Sequence, residues 1–227
     1  MWVIAHRGGG DLFPENTLKA FQQSAALGVD MVECDVHVSR DGQLMVIHDP
    51  TLERTGGHAL RVSDLTAQEL AAIDVGEGEG VPTLTDLLDL IPIPVVVEIK
   101  TPAVVQGLLE LFQKNPGFVE RVVPISFYHQ AVKELVDRVP HLEAGVLLAG
   151  APIDLAHMAH TAHVRLLSLH YELVDRAMVE AMHEKNLMVS VWTPNTEEDI
   201  LSMLDAGVDG IASDRPDIVL KAAGRNR

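Results

Sequence analysis

The sequence predicts an α/β fold, a (β/α)8 TIM barrel with a short insertion after the second strand. Three observations lead there. Short β-rich runs alternate with helical patterns from one end of the chain to the other, the signature of βα units on a parallel sheet. The alternation recurs about eight times in ~220 residues, the scale of a closed barrel with short loops. Unusual polar residues fall at the carboxyl ends of the predicted strands, where barrel active sites are assembled. No linker or low-complexity stretch divides the chain, so residues 1–227 read as one domain.

Strands are expected at residues 2–5, 31–38, 95–99, 122–126, 142–147, 166–169, 187–191 and 208–212, each a short run rich in β-branched or large apolar residues. A further run at 44–47 reads as accessory. Between them, Leu18, Phe21 and Ala25 recur at helical spacing before Gly28, and Leu84, Leu87, Leu88 and Ile91 form a second stripe. Val174, Met178, Ala181 and Met182 make a similar face, and Thr196 opens a helix that Gly207 closes. The first strand–helix junction, His6-Arg7-Gly8-Gly9-Gly10, lacks the G-x-G-x-x-G fingerprint of a dinucleotide site, which ranks the barrel above a doubly wound open sheet. Residues 49–82, with Gly56-Gly57 and the Gly-Glu repeat at 76–80, read as a decorated loop that could cover an active site.

Composition excludes several functions. Seventeen Lys and Arg against 33 Asp and Glu give a formal charge of -16, the wrong sign for holding nucleic acid or an anionic membrane. Two Trp, two Tyr and five Phe are too few for a single-strand stacking platform. The apolar runs are about four to six residues long against the roughly 20 a spanning helix needs, so no membrane span is expected. The first residues run into a core strand without a secretory leader, and a cytoplasmic location is expected. Cys34, the only cysteine, permits no internal disulfide. No Gly-x-Ser-x-Gly elbow or Walker loop is present, which argues against serine or cysteine nucleophiles and P-loop chemistry.

The polar strand ends carry the functional signal. In Val32-Glu33-Cys34-Asp35-Val36-His37, strand alternation puts Glu33, Asp35 and His37 on one face and Cys34 on the other. In Val95-Val96-Val97-Glu98-Ile99-Lys100 it pairs Glu98 with Lys100 on one face. Three carboxylates converging in a barrel mouth repel unless a cation or protons neutralise them, and hard oxygen donors suit Mg2+, Ca2+ or Mn2+. Taken singly, each pair would be a salt bridge or a solvated strand end; the combined set favours a divalent metal at Glu33, Asp35 and Glu98. His37 reads as an exposed strand-end residue. His6 beside Arg7 couples a titratable ring to a fixed guanidinium, suited to proton transfer at a phosphate. His48-Asp49 offers a second imidazole beside a carboxylate. His157, His160 and His163 recur every third residue without an interleaved acid and read as a solvated helix face. Trp192 and Phe13 lie where a ring either walls a pocket or packs in the core.

Several of these motifs occur together, in order, in one family. The chain resembles the glycerophosphodiester phosphodiesterases through His6-Arg7-Gly8, Pro14-Glu15-Asn16-Thr17, Glu33-Cys34-Asp35-Val36, Asp41-Gly42, His48-Asp49 and Glu98-Ile99-Lys100. Pro82-Thr83-Leu84, Ser126-Phe127, Trp192, Gly207-Val208-Asp209-Gly210 and Asp214-Arg215-Pro216 extend the likeness nearly chain-long. The resemblance implies a (β/α)8 barrel that uses a divalent metal to hydrolyse small-molecule glycerophosphodiesters, such as glycerophosphocholine or glycerophosphoethanolamine, to sn-glycerol 3-phosphate and an alcohol. Carried over by motif, it implies Glu33, Asp35 and Glu98 as metal ligands, His6 and His48 as acid and base, Arg7 and Lys100 as phosphate contacts, and Asn16 and Trp192 in the site lining. Water and the substrate's own 2-hydroxyl both remain open as the nucleophile. The chain departs from the family pattern at Ser39-Arg40 before Asp41-Gly42 and at Arg54-Thr55-Gly56, neither at an implied ligand. Lys100 and the brief insertion set it apart from related barrel lipases of the sphingomyelinase D type.

Overall fold

The computed structural model describes residues 1–150 and 152–225. Nine strands form one sheet: β1 (Trp2–Ala5), β2 (Met31–Val38), β3 (Leu44–Val46), β4 (Val95–Ile99), β5 (Val122–Ser126), β6 (Gly145–Leu148), β7 (Leu166–His170), β8 (Met188–Trp192) and β9 (Gly210–Ser213). Eight of them are parallel, in the order β1-β9-β8-β7-β6-β5-β4-β2, and the pairing of β1 with β2 closes the barrel. The strand β3 hangs outside this ring, antiparallel to β2, with Val36 opposite Val46.

Alternation along each strand divides two cores. Outward-facing Val32, Cys34, Val36, Val95, Val97 and Ile99 pack under the surrounding helices, while Ile4, Val96, Ile125, Leu147, Leu166 and Ala212 form an apolar lining inside the barrel. The helical ring comprises α1 (Leu18–Leu27), then α4 (Leu84–Leu90), α5 (Val104–Lys114), α6 (His129–Arg138), α7 (Leu155–Thr161), α8 (Arg176–His183), α9 (Glu197–Ala206) and α10 (Pro216–Ala222). Local chemistry sets their ends. Thr17 caps α1 by accepting from Ala20 N–H, and Gly28 stops it at φ 90°. Thr83 and Asp86 form a reciprocal capping box on α4, and Thr196 and Gly207 bound α9.

Some boundaries differ from expectation. The expected strand at 142–147 begins at Gly145, and the one at 208–212 at Gly210. Leu142 and Val208 are buried all the same, because apolar residues leading into a strand pack in the same core. Around 208–209, backbone groups serve neighbouring strands instead: Trp2 N–H donates to Asp209 O, and Asp209 N–H donates to Val189 O. At the other end, β7 runs one residue longer than expected and β8 is shifted by one residue, from 187–191 to 188–192, so that they carry His170 and Trp192 to the mouth.

The insertion after β3 is more ordered than a loop. It contains α2 (Glu53–Gly56) and α3 (Ala67–Ala71), and Met45, Ile47, Leu52, Val62, Leu70 and Val81 form a small core of its own. The expected histidine stripe is broken, since α7 ends at Thr161; His157 and His160 are exposed on the helix, whereas His163 lies beyond it and pairs with Asp137 at 2.7 Å.

Candidate active site

At the carboxyl ends of the strands, a cavity of about 940 Å3 opens at the mouth and continues down the barrel axis. Its mouth is lined by His6, Arg7, Glu33, His48, Glu98, Lys100 and Trp192. A sharp turn at the end of β1 supplies the first two. Arg7, Gly8 and Gly9 all have positive φ, and a Cβ on Gly8 would lie 2.9 Å from that of Ala20, so glycine lets the turn pack against α1. The turn aims His6 inward and directs Arg7 N–H to Glu33 Oε2 at 3.0 Å.

Glu33, Asp35 and Glu98 each bring a carboxylate oxygen to one place, with the three atoms within 4.8 Å of one another. This follows from register: β2 and β4 are parallel neighbours with Asp35 opposite Glu98. Asp35 is wholly buried; Arg7 Nε and Lys100 Nζ each lie 3.3 Å from it, and Asn16 Nδ2 donates to its Oδ2 at 2.9 Å. Burial would raise the Asp35 pKa, but Lys100 and Arg7 hold it down at about 2. Glu33 is pushed the other way, up to about 8, by burial and by the neighbouring Asp35 charge. Glu98 is also raised, by burial and by Asp35, although Lys100 Nζ sits 2.9 Å away.

These groups fit a hard cation. Buried Asp35 Oδ1 makes no hydrogen bond, with the Lys100 ammonium 3.3 Å away, and Glu33 cannot ionise readily beside its neighbours until positive charge arrives between them. The three carboxylates can therefore hold a metal ion.

Two histidines flank the acids, each braced by its own carboxylate. His6 Nδ1 meets Asp214 Oδ1 at 2.7 Å, leaving Nε2 toward Glu33 at 3.9 Å. Asn195 clamps Asp214, donating to Oδ2 at 2.8 Å and accepting from the Asp214 N–H at 2.9 Å. Burial lowers the His6 pKa, but Glu33 and Asp214 outweigh it and the net shift is upward. His48 arrives on the insertion. Its Nδ1 meets Asp49 Oδ1 at 2.8 Å, Asp49 is held by Arg54 at 2.6 Å, and Arg54 forks onto Glu15. Burial, with Arg7 and Lys100 nearby, lowers the His48 pKa.

His37 corrects an expectation. It is buried rather than exposed, and its Nε2 lies 3.0 Å from His48 O, so it pins the backbone that presents the second imidazole. The insertion covers this strand end, which the alternation of β2 alone does not reveal. Asn16 lies behind the cavity wall, holding Asp35, and Phe13 is partly buried away from the mouth. Asp214 and Asn195 were not anticipated as site residues. The available signal was Asp214's position just past the last strand, beside His6 on the neighbouring β1.

Comparison with known proteins places the chain in a family. The model of the glycerophosphoryl diester phosphodiesterase family matches residues 6–218. The chain belongs to that family. A glycerophosphodiester phosphodiesterase from Caldanaerobacter subterraneus subsp. tengcongensis is 34% identical over 96% of both chains. The crystal structure of a glycerophosphodiester phosphodiesterase from Agrobacterium tumefaciens is 27% identical, with a TM-score of 0.80 over 97% of this chain and 98% of that one. An Oleispira antarctica phosphodiesterase, solved with sn-glycerol-3-phosphate, shares the fold at 23% identity and a TM-score of 0.90 over 97% and 96% of the two chains. The protein is accordingly a phosphoric diester hydrolase acting on glycerophosphodiesters.

Proposed function

We propose that the enzyme hydrolyses water-soluble glycerophosphodiesters, such as glycerophosphocholine or glycerophosphoethanolamine, to sn-glycerol 3-phosphate and the free alcohol, with a divalent metal. The observation that carries this reading is the placement of three converging carboxylates between two carboxylate-braced imidazoles in one cavity. Glu33, Asp35 and Glu98 would hold Mg2+, Ca2+ or Mn2+. Once bound, the ion supplies Lewis-acid stabilisation of phosphate charge.

The chain's own groups do the rest. Arg7 and Lys100, already oriented by Asp35, Glu15 and Glu98, add fixed positive charge beside the phosphate. One imidazole takes a proton from the attacking oxygen, of water or of the substrate's 2-hydroxyl, and the other gives one to the departing alkoxide, otherwise a poor leaving group. With Nδ1 committed to Asp214 in one case and Asp49 in the other, each ring has Nε2 left for that exchange. Asn16 fixes Asp35, and Trp192 walls the pocket.

Small diesters fit a mouth of this kind, and the related Oleispira enzyme binds the same phosphate product. No described helix is long and apolar enough to cross a membrane. A cytoplasmic location belongs to this proposal, and cell fractionation tests it. The deciding experiment measures glycerol 3-phosphate release from both diesters in EDTA, then with each metal restored. Release only with metal supports the reading; no release from folded protein with any metal overturns it.

A further inference from the structure

The charged groups of the mouth occupy one arc of the barrel rim, at the ends of β9, β1, β2 and β4. The opposite arc is aromatic. Trp192 at the end of β8 is held by its Nε1 donating to Ser168 O at 3.2 Å and by a T-shaped contact with His170, ring centroids 5.0 Å apart and planes at 90°. Phe127, just past β5, meets Trp192 at 5.7 Å with the ring planes at 88°. Phe127 is 46% exposed, and both rings line the cavity that contains His6, Arg7 and Lys100. Two perpendicular rings thus form a corner facing the phosphate-binding arc.

We propose that Phe127 and Trp192 form a subsite for a quaternary ammonium group on the leaving alcohol, so that the enzyme prefers choline diesters to diesters whose alcohol carries hydroxyls. The proposal rests on the hydrolase reading above and adds the substrate class. A phosphodiester held on the charged arc must extend one ester substituent across to the aromatic arc. Glycerol or inositol hydroxyls laid against these two rings find no hydrogen-bond partner on them, since the Trp192 N–H is already committed to Ser168. A primary ammonium would likewise leave N–H donors unpaired. A quaternary ammonium has no donors to satisfy and is attracted to ring faces. Glu172, 3.8 Å from His170 Nδ1, and the net charge of -16 add a favourable field for a cation.

The test compares kcat/KM for glycerophosphocholine and glycerophosphoglycerol, with metal present, in the native enzyme and in Phe127→Leu, which keeps apolar volume and removes a ring face. The native enzyme should prefer the choline diester, and Phe127→Leu should cut the preference about 2- to 5-fold, mainly through KM, the size of one cation–π contact at a half-exposed ring. Tetramethylammonium should compete with substrate in the native enzyme and several-fold less well in the variant. An unchanged preference ratio, or a native enzyme indifferent to the alcohol, overturns the subsite. If neither diester is cleaved, the hydrolase reading fails separately. Tetramethylammonium quenching of Trp192 fluorescence, in a Trp2→Phe background, then decides the subsite: quenching weakened by Phe127→Leu supports it, and no quenching overturns it.

Discussion

At the scale of single residues, the site works by opposing pKa shifts among neighbours. Glu33 and Asp35 lie on the same face of one strand, yet one is pushed up to about 8 by burial and the Asp35 charge, with only the imidazole of His6 facing it at 3.9 Å, and the other is held at about 2 by Lys100 and Arg7. Glu98→Ala should lose metal affinity and activity together, at least tenfold in affinity by calorimetry, because it removes one of the three carboxylates proposed to hold the ion. In contrast, His6→Ala should lower kcat about 10^2- to 10^4-fold while metal binding is largely kept, which calorimetry and single-turnover rates would separate. Asp214→Asn belongs with it. Losing the carboxylate that fixes Nδ1 of His6 should lower kcat about 100-fold with KM little changed, and Asp214→Glu should restore part of the rate. A fall in KM-dependent binding alone would point to a merely structural role for Asp214.

At the scale of elements, the insertion between β3 and α4 is a second small structure mounted on the barrel. Its apolar cluster, not the barrel core, holds the backbone from which His48 projects, with His37 fastening the junction. Leu70 is fully buried in that cluster. Leu70→Ala should therefore destabilise the insertion by about 2–4 kcal/mol. Hydrogen exchange should rise across residues 47–82 while the barrel strands stay protected, and activity should fall through displacement of His48. Exchange that rises evenly over the whole chain would show that the insertion does not open separately.

For the whole molecule, a buried acid with a raised pKa makes stability depend on pH. In the metal-free protein, between its ordinary value near 4.5 and about 8, folded Glu33 retains a proton that the unfolded chain releases. The folded state then binds more protons, so stability falls as pH rises across that window. A bound cation favours the ionised trio, so the gain in Tm on adding metal should grow between about pH 6 and about pH 8.5. Thermal unfolding with EDTA and with metal at the two pH values checks this, and an equal gain at both would mean that Glu33 is not part of the metal site.

Much of this was legible in the linear chain because it depends on short-range periodicity. Alternation in 31–38 and 95–99 assigns each side chain to one face of its strand, and strand–helix alternation selects a parallel barrel, whose strand ends converge on one mouth. The sequence by itself therefore determined the barrel and the company that Glu33, Asp35 and Glu98 keep. Only the tertiary structure decided which partners complete them. Asp214 reaches His6 because closure of the barrel brings β9 beside β1, across 208 residues of chain. His37 is buried because the insertion folds over it, and Phe127 meets Trp192 because separate strands end on the same arc of the rim. Local pattern specifies which face a side chain takes, whereas contacts between residues far apart in sequence exist only once the sheet has closed and fixed its register.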